Sequence, residues 1–347
     1  MKKERVAVAM SGGKDSAVAA SLLIDEGYDV FGVTMILSSE SKHLKKTQNT
    51  CDYLNIPLYV VDYTSVFKDK VITPFCNEYL NGVTPNPCIV CNKQIKMGIL
   101  LNWAISEGAA YLATGHYAKV SYDSKTGRFL LYKGKDKKKD QSYLLWSLDQ
   151  TQLSHLKTPL GGLLKSEVSK IAEERGLFEL EAESQEICFI PNDDYRSFLQ
   201  GRLKDFISPG DIVDKTGKVL GRHQGLPFYT IGQRKGLGIS HKEPLYVLNL
   251  NKEKNIVIVG EEKDLYKSSL VASNLNFIPF NVLDKEMAVE AQIRYNMMPS
   301  SATILPLSED KVIVKFAQKQ RAITPGQSVV FYQRDKVLGG AIIDFVR

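Results

Sequence analysis

Cysteine is scarce: the 347 residues contain five, Cys51, Cys76, Cys88, Cys91 and Cys188. An odd number at irregular spacing excludes the paired framework of a small secreted scaffold and fits a reducing compartment. Long apolar runs are lacking as well. No stretch approaches the roughly 18 residues that span a bilayer, and the short run VAVAM after the first lysines is too brief for a signal-peptide core. The expectation is a cytoplasmic protein with no membrane partner. A strong charge of one sign is also missing, since 45 Lys+Arg against 39 Asp+Glu leave only +6. Such a balance permits a polyanionic partner without establishing one. With 44% apolar and 24% charged residues the chain is neither disordered, collagenous nor coiled-coil, so its function must reside in motifs.

The first half alternates strand-like and helix-like segments. Residues 4–10 (ERVAVAM) read as a short buried strand, and Lys14–Gly27 carries apolar residues at helical spacing up to a glycine stop. Further strands are predicted at 29–37, 57–61 and 110–113, with a polar helix-like stretch reaching Leu54. This pattern predicts an α/β domain with a doubly wound parallel sheet. From about Gly201 short β-like runs (SPGDIV, KTGKVLG, GLPFYTIGQRKGLGI, PLYVLNL) suggest a small β-rich module. From Ser269 the runs AVEAQIRY, ATILPL, KVIVKF, QSVVFY and GGAIIDFV suggest a six-stranded antiparallel barrel or sandwich. The expected domains are 1–197, 198–262 and 263–347.

Ser11-Gly12-Gly13-Lys14-Asp15-Ser16 follows the first strand and opens the first helix. Backbone N–H groups converge there, the helix dipole favours an anion, and glycines let the main chain approach a phosphate. The Walker spacing is absent, because the glycines are adjacent and no GK[ST] closes the loop. Asp15 is a candidate for orienting magnesium or the loop, or for capping the helix. SGGxDS resembles the pyrophosphate loop of the ATP-pyrophosphatase family, which splits ATP into AMP and pyrophosphate with magnesium and adenylates a substrate oxygen.

Cys88 and Cys91 form C-x-x-C in a proline-stiffened turn, TPNPCIVCN, that runs into an apolar helix at 95–105. Cys91 is thereby expected near a helix N-terminus, where a thiolate is stabilised. A structural zinc site would need a second ligand pair, and Cys188, in SQEICFI, lies almost a hundred residues away. Alone, Cys188 would read as a small buried hydrophobe.

Six blocks, TPNPC-x-x-CN-x-x-IK, ATGHYA, KDQSYLLW, SQEICFI, TIGQRKGLGI and ITPGQSVVFY, occur in the order seen in tRNA-specific 2-thiouridylases. The chain is identified by this resemblance, which spans nearly its whole length, as similar to that family of tRNA-uridine 2-sulfurtransferases. The resemblance implies an adenine nucleotide alpha hydrolase-like fold followed by a small central domain and a β-barrel. The implied reaction is ATP-dependent exchange of oxygen for sulfur at C2 of the wobble uridine of tRNA.

Position by position, the resemblance implies that Ala9, Met10, Ser11, Gly12, Gly13, Lys14, Asp15 and Ser16 bind ATP, with Met35 on the adenine side and Gly115 as a further ATP contact. Asn86, Pro87 and Cys88 occupy the segment that meets the target base. His116, Lys139, Asp140, Gln141, Arg294, Tyr295 and Gln327 match positions that touch tRNA. Cys91 matches the nucleophile and Cys188 the cysteine that carries a persulfide, and in such enzymes the two can form a disulfide. Implied partners are tRNA and a sulfur donor, whether a persulfide carrier protein, a cysteine desulfurase or sulfide.

Three features depart from the family pattern: cysteine at 88 where many relatives have aspartate, Lys14 in place of valine, and a short segment at 38–47. The first leaves two sulfur routes open, a persulfide relay or a [4Fe–4S] cluster on Cys88, Cys91 and Cys188. From the residues themselves, the run Lys133 to Lys139 and the turn Gly232–Gly236 with its Arg234 and Lys235 read either as solvated surface or as phosphate contacts. Two other readings of the chain are an ATP-pyrophosphatase acting on a small metabolite and a non-catalytic RNA-binding or zinc module.

Overall fold

Short apolar segments punctuated by glycine form strands and helices in the computed structural model, which describes residues 3–38, 44–177 and 187–346. The chain divides into two compact units. The first comprises Met1–Val71, Cys88–Phe189 and Arg334–Gly339, and the second Ile72–Pro87, Ile190–Gln333 and Gly340–Arg347.

In the first unit, strands β1 (Arg5–Ala9), β2 (Asp29–Ile36), β3 (Leu58–Asp62), β4 (Tyr111–Ala113) and β7 (Leu156–Lys157) form a five-stranded sheet in the order β3-β2-β1-β4-β7, all parallel. The hairpin β5 (Ala118–Asp123) and β6 (Arg128–Lys133) lies between β4 and β7 in sequence. Helix α1 (Lys14–Asp25) follows β1, and Ala17 to Ala20 are wholly buried, so this helix is core on nearly every side. Strand alternation puts Val30 and Phe31 on opposite faces of β2. Val30 clusters with Leu23 of α1 and Cys51 of α2 (Leu44–Tyr53), whereas Phe31 packs edge-on against Trp103. Trp103 belongs to α3, a continuous helix built from an α turn (Pro87–Val90), a π-helical stretch (Cys91–Leu100) and a second α segment (Leu101–Ser106). The sheet therefore carries helices on both faces, and its last helix α4 (Lys165–Glu174) shares a core with α1.

In the second unit, β8 (Gly210–Val213), β9 (Val219–His223), β10 (Tyr246–Asn251) and β11 (Ile256–Gly260) form a small sheet in the order β10-β11-β8-β9. Its core is Ile212, Leu226, Tyr229, Leu237, Val247, Val257 and Val259. The run GLPFYTIGQRKGLGI, expected as β-like, is a 3-10 turn (Leu226–Phe228) followed by loop. Three glycines with positive φ, at 232, 236 and 238, break any extended pattern there. Strands β12 (Tyr266–Phe277), β13 (Met287–Gln292), β14 (Ser300–Ser308), β15 (Lys311–Arg321), β16 (Ser328–Gln333) and β17 (Lys336–Val346, counted in this unit from Gly340 onward) follow the order β12-β15-β14-β13-β16-β17. An additional β12–β17 pairing closes them, so the expected six-stranded antiparallel structure is a barrel.

Candidate active site

The loop between β1 and α1 is held from within. Ser16 Oγ donates to the Gly13 carbonyl at 3.0 Å and accepts from the Ser11 amide at 3.2 Å. Gly12 has φ +76°, which lets the chain reverse without a side-chain clash. Gly13 is the N-cap and makes no side-chain cap bond, leaving the first amides of a fully packed helix available to an anion. Gly115 lies against this helix start, since a Cβ there would stand 3.2 Å from backbone atoms of Asp15 and Ser16. Ala9, Met10, Ser11 and Lys14 lie along the same turn, and Met35 is half-buried near the end of β2, paired with Val61.

Asp15 neither caps α1 nor faces outward. Its carboxylate accepts from Lys165 Nζ at 2.6 Å on both oxygens and from Tyr117 Oη at 3.0 Å. The ion pair is largely buried, with the Asp15 side chain 9% and the Lys165 side chain 26% exposed. Asp15 is thus an anchor that ties the phosphate loop to α4, and of its expected alternatives the helix-capping one is not seen. Its oxygens are engaged by a cation, and no group of three metal-ligating side chains is gathered among the described residues. Lys165 and Tyr117 were not singled out from sequence. A lysine opening a helix runs against the macrodipole, and that local misfit was the available signal for a buried partner.

Helix α3 carries the cysteines. It starts at Pro87, so Cys88 lies in its first turn and Cys91 beyond it, buried at 8% exposure. The expected thiolate-stabilising position is therefore not realised at Cys91: burial pushes its thiol up to about 12, although the Lys96 ammonium pulls the other way. Burial also raises Cys88, again opposed by Lys96. Cys188 and Cys88 both add to the rise at Cys91. All five cysteines are free thiols, with Cys88 half-buried and Cys188 exposed. Ser184, Gln185 and Glu186 of the SQEIC block lie outside the described residues, as does part of the short segment at 38–47. Asn92, next to Cys91, donates to the Leu144 carbonyl at 3.1 Å, while its buried Oδ1 has no partner. Among the described residues no group of three metal-ligating side chains is gathered, so the arrangement lends no support to the iron–sulfur alternative.

The remaining first-unit candidates surround this helix and loop. His116 pairs through Nδ1 with Thr114 Oγ1 at 2.8 Å, and desolvation together with Lys96 holds its imidazole well below the ordinary value, hence neutral. Gln141 receives the Tyr117 amide on its Oε1 at 3.0 Å. Asp140 accepts from the Gly134 and Ser142 amides and the Ser142 hydroxyl, yet burial still raises its pKa. Both side chains therefore organise the turn between β6 and the SYLL 3-10 helix (Ser142–Leu145). In the lysine run, Lys135 is bonded to Glu167 at 2.9 Å, whereas Lys137 and Lys138 are exposed and Lys139 is half-buried.

In the second unit three sequence blocks meet. Gln327 Nε2 donates to the carbonyls of Thr84 and Pro85 at 3.0 and 3.2 Å, and the Thr84 amide donates to Pro325. Thr84 Oγ1 also reaches Thr230 Oγ1 at 3.4 Å. Gly326, at φ +87°, packs so closely on Val83 that a Cβ would stand 2.2 Å from it. The TPNP strap, with Asn86 and Pro87 at its end, is thereby seated on the ITPGQ and TIGQ loops. Arg294 is spent locally, donating to the Ala322 carbonyl at 2.8 Å and Thr324 Oγ1 at 2.7 Å, with Tyr295 half-buried beside it. No described helix is long and apolar enough to cross a membrane.

Comparison with known proteins agrees with this geometry. Family models described as a tRNA methyl transferase HUP domain, a tRNA methyl transferase PRC-barrel domain and an aminomethyltransferase β-barrel domain match residues 4–192, 196–261 and 267–343. A protein of Thermoanaerobacter sp. (strain X514) named tRNA-specific 2-thiouridylase MnmA 2 is 50% identical over 98% of this chain and 98% of its own. The tRNA-specific 2-thiouridylase MnmA of Carboxydothermus hydrogenoformans is 46% identical over 99% of this chain and 98% of its own. That of Clostridium botulinum (strain Eklund 17B / Type B) is 45% identical over 100% and 99%. With full-length relatives at this identity and all six sequence blocks in order, the chain belongs to the tRNA-specific 2-thiouridylase (MnmA) family.

Proposed function

We propose that this protein is an ATP-dependent tRNA-uridine 2-sulfurtransferase that replaces the C2 oxygen of the wobble uridine with sulfur. The observation that carries the reading is the pairing, within one compact unit, of a pyrophosphate-type loop with the free cysteines Cys88, Cys91 and Cys188. Neither feature alone needs the other. A uridine carbonyl is a poor electrophile, and adenylation supplies the leaving group that a sulfur nucleophile requires.

In this reading the uridine O2 attacks the α-phosphorus of ATP, and pyrophosphate leaves along the amides of Ser11 to Ser16. Magnesium comes with the ATP phosphates, because Asp15 is engaged by Lys165 and does not offer a free carboxylate. The Cys188 thiol, which is exposed, attacks the outer sulfur of a persulfide borne by a carrier protein or cysteine desulfurase, or a sulfur of a polysulfide formed from sulfide by prior oxidation, and the donor's thiolate or shortened polysulfide leaves. The terminal sulfur of the Cys188 persulfide attacks C2. The Cys91 thiolate then attacks the Cys188 sulfur, the S–S bond breaks with its electrons moving to the new C2 sulfur, and AMP departs as the thiocarbonyl forms. A Cys91–Cys188 disulfide remains, and a dithiol reductant restores both thiols.

We assign Asn86, Pro87 and Cys88 to the target base, and His116, Lys139, Tyr295 and the exposed lysines to tRNA. Asp140, Gln141, Arg294 and Gln327 act by shaping loops that meet it. The domain division 1–197, 198–262 and 263–347 belongs to the same proposal. The test is mass-spectrometric detection of 2-thiouridine in unmodified tRNA incubated with ATP, magnesium and a persulfide donor, with S-adenosylmethionine in a parallel tube. Thionucleoside with stoichiometric AMP is expected. A methylated nucleoside with S-adenosylmethionine and no thionucleoside would overturn the proposal in favour of methyl transfer, and Cys188→Ser at full activity would remove the sulfur role of that residue.

A further inference from the structure

Helix α4 opens without a cap of its own. Its N-cap residue, Leu164, has no side-chain oxygen, so the amides of the first turn must find acceptors elsewhere. Glu167 takes the Leu164 amide at 2.6 Å. The Lys165 amide is taken from outside the helix, by Asp136 Oδ2 at 2.9 Å, 29 residues earlier in the chain. Through Oδ1 the same carboxylate accepts the Lys138 amide at 3.0 Å. The bond from the Lys165 amide is the foremost influence holding the Asp136 carboxyl below the usual carboxylate range. Asp136 therefore joins the start of α4 to the exposed Lys137 and Lys138.

The loop that carries these lysines is fastened at further points. Lys135 bonds the Gly161 carbonyl through its amide and Glu167 through its ammonium, each at 2.9 Å. The Gly134 amide donates to Asp140 at 2.9 Å and closes the neck. Gln141 and Tyr117 are paired in both directions, the Gln141 amide on the Tyr117 carbonyl at 2.9 Å and the Tyr117 amide on Gln141 Oε1 at 3.0 Å. The segment 134–141 is thus tied to Lys165 and to Tyr117, the two residues whose side chains hold Asp15 in the phosphate loop. Lys165 is also the first residue of its helix, so loss of its acceptor frays the turn from which its ammonium reaches Asp15.

We propose that Asp136 is a positioning residue that couples the basic loop to the nucleotide: phosphates seated on Lys137 to Lys139 keep the loop on α4, α4 keeps Lys165 on Asp15, and tRNA and ATP thereby each tighten the other's binding. The identity of both ligands rests on the proposed function. The two arrangements are the tied one just described and one in which Asp136 has left the Lys165 amide and the first turn of α4 is frayed. Both ligands favour the tied arrangement, and the coupling is reciprocal by linkage. Direct repulsion between two polyanions would have the opposite sign.

The experiment uses the full-length protein, an unmodified tRNA transcript and the magnesium complex of α,β-methylene-ATP, which cannot release pyrophosphate. The analogue is titrated by calorimetry with and without saturating tRNA at one salt concentration. In the unaltered protein tRNA should tighten the analogue about fivefold or more. D136A should bring that ratio to within about twofold of one, with tRNA alone still bound. D136N, whose amide oxygen can still accept from Lys165, should keep most of the ratio, which a merely bulky or structural role would not require. A second measurement needs no variant: tRNA without nucleotide should slow amide exchange in the peptide that contains Lys165. Direct contact between the two ligands would survive D136A, so an undiminished ratio in that variant overturns the proposal, as does a ratio of one or an unaltered Lys165 exchange in the unaltered protein. Those results beside normal thionucleoside formation would leave the sulfur-transfer reading standing, whereas a protein that binds no tRNA would sink both.

Discussion

Replacing Lys165 by methionine removes the cation that holds Asp15 and keeps most of the aliphatic volume. Asp15 then remains as a carboxylate with 9% exposure and one donor, Tyr117 Oη. Breaking a fully buried pair from one side costs about 3–5 kcal/mol, and an exposed pair is worth about 0–1. Because the lysine side is 26% exposed, water reaches the gap, and the expected loss is about 2–3 kcal/mol. The opposite change, Asp15→Asn, leaves the lysine free to hydrate and should cost about 1 kcal/mol. The double variant carries no stranded charge and should fall no further than D15N alone. A domain of 150–250 residues shifts by about 2–4 °C per kcal/mol, so K165M should lower the melting transition of the first unit by about 5–10 °C in calorimetry. A K165M shift under about 2 °C, or a double variant that melts at the simple sum of the two losses, would refute the view that this pair anchors the loop.

Three further outcomes follow from the same geometry. Gly115→Ala places a methyl 3.2 Å from the Asp15 and Ser16 backbone, so ATP affinity by titration calorimetry should drop about tenfold, and unchanged affinity would separate Gly115 from the nucleotide. Gln327→Ala leaves the Thr84 and Pro85 carbonyls without a donor, at about 1–2 kcal/mol, and should raise amide exchange in the strap at 81–86; unaltered exchange would mean that Gly326 packing alone holds it. His116 and His223 both have imidazole pKa values depressed by desolvation, so the folded protein binds fewer protons than the unfolded chain. Stability is then full above about pH 6.5 and declines as pH falls, by up to about 1.4 kcal/mol per pH unit and histidine, and H116Q should reduce that slope.

Much of the architecture was legible because it rests on periodicity. The strands at 4–10, 29–37 and 110–113 match β1, β2 and β4 closely, and the terminal β runs match the barrel strands, since alternating burial leaves a direct trace in sequence. The two-residue β7 is too short to leave such a trace, and the β5–β6 hairpin, with DSKTGR as its turn, is so short an insertion between β4 and β7 that a reading by periodicity passes over it. In the site, glycines and cysteines announced themselves by type. What their environment does to them did not. Cys91 lies one turn inside its helix and burial raises its thiol, and burial is a property of the packed unit that no local spacing reveals. The Lys165–Asp15 pair spans 150 residues, beyond the reach of any local rule.

The π-helical register of α3 has a consequence for anyone altering this protein. Removing one residue between Cys91 and Lys96 would not simply shorten the helix; it would let the ladder relax to ordinary α spacing and swing every side chain beyond the cut by about 100°. Met97 and Leu100, now core, would turn with it. The extra residue that makes the helix wide is thus held in place by the packing of its apolar face.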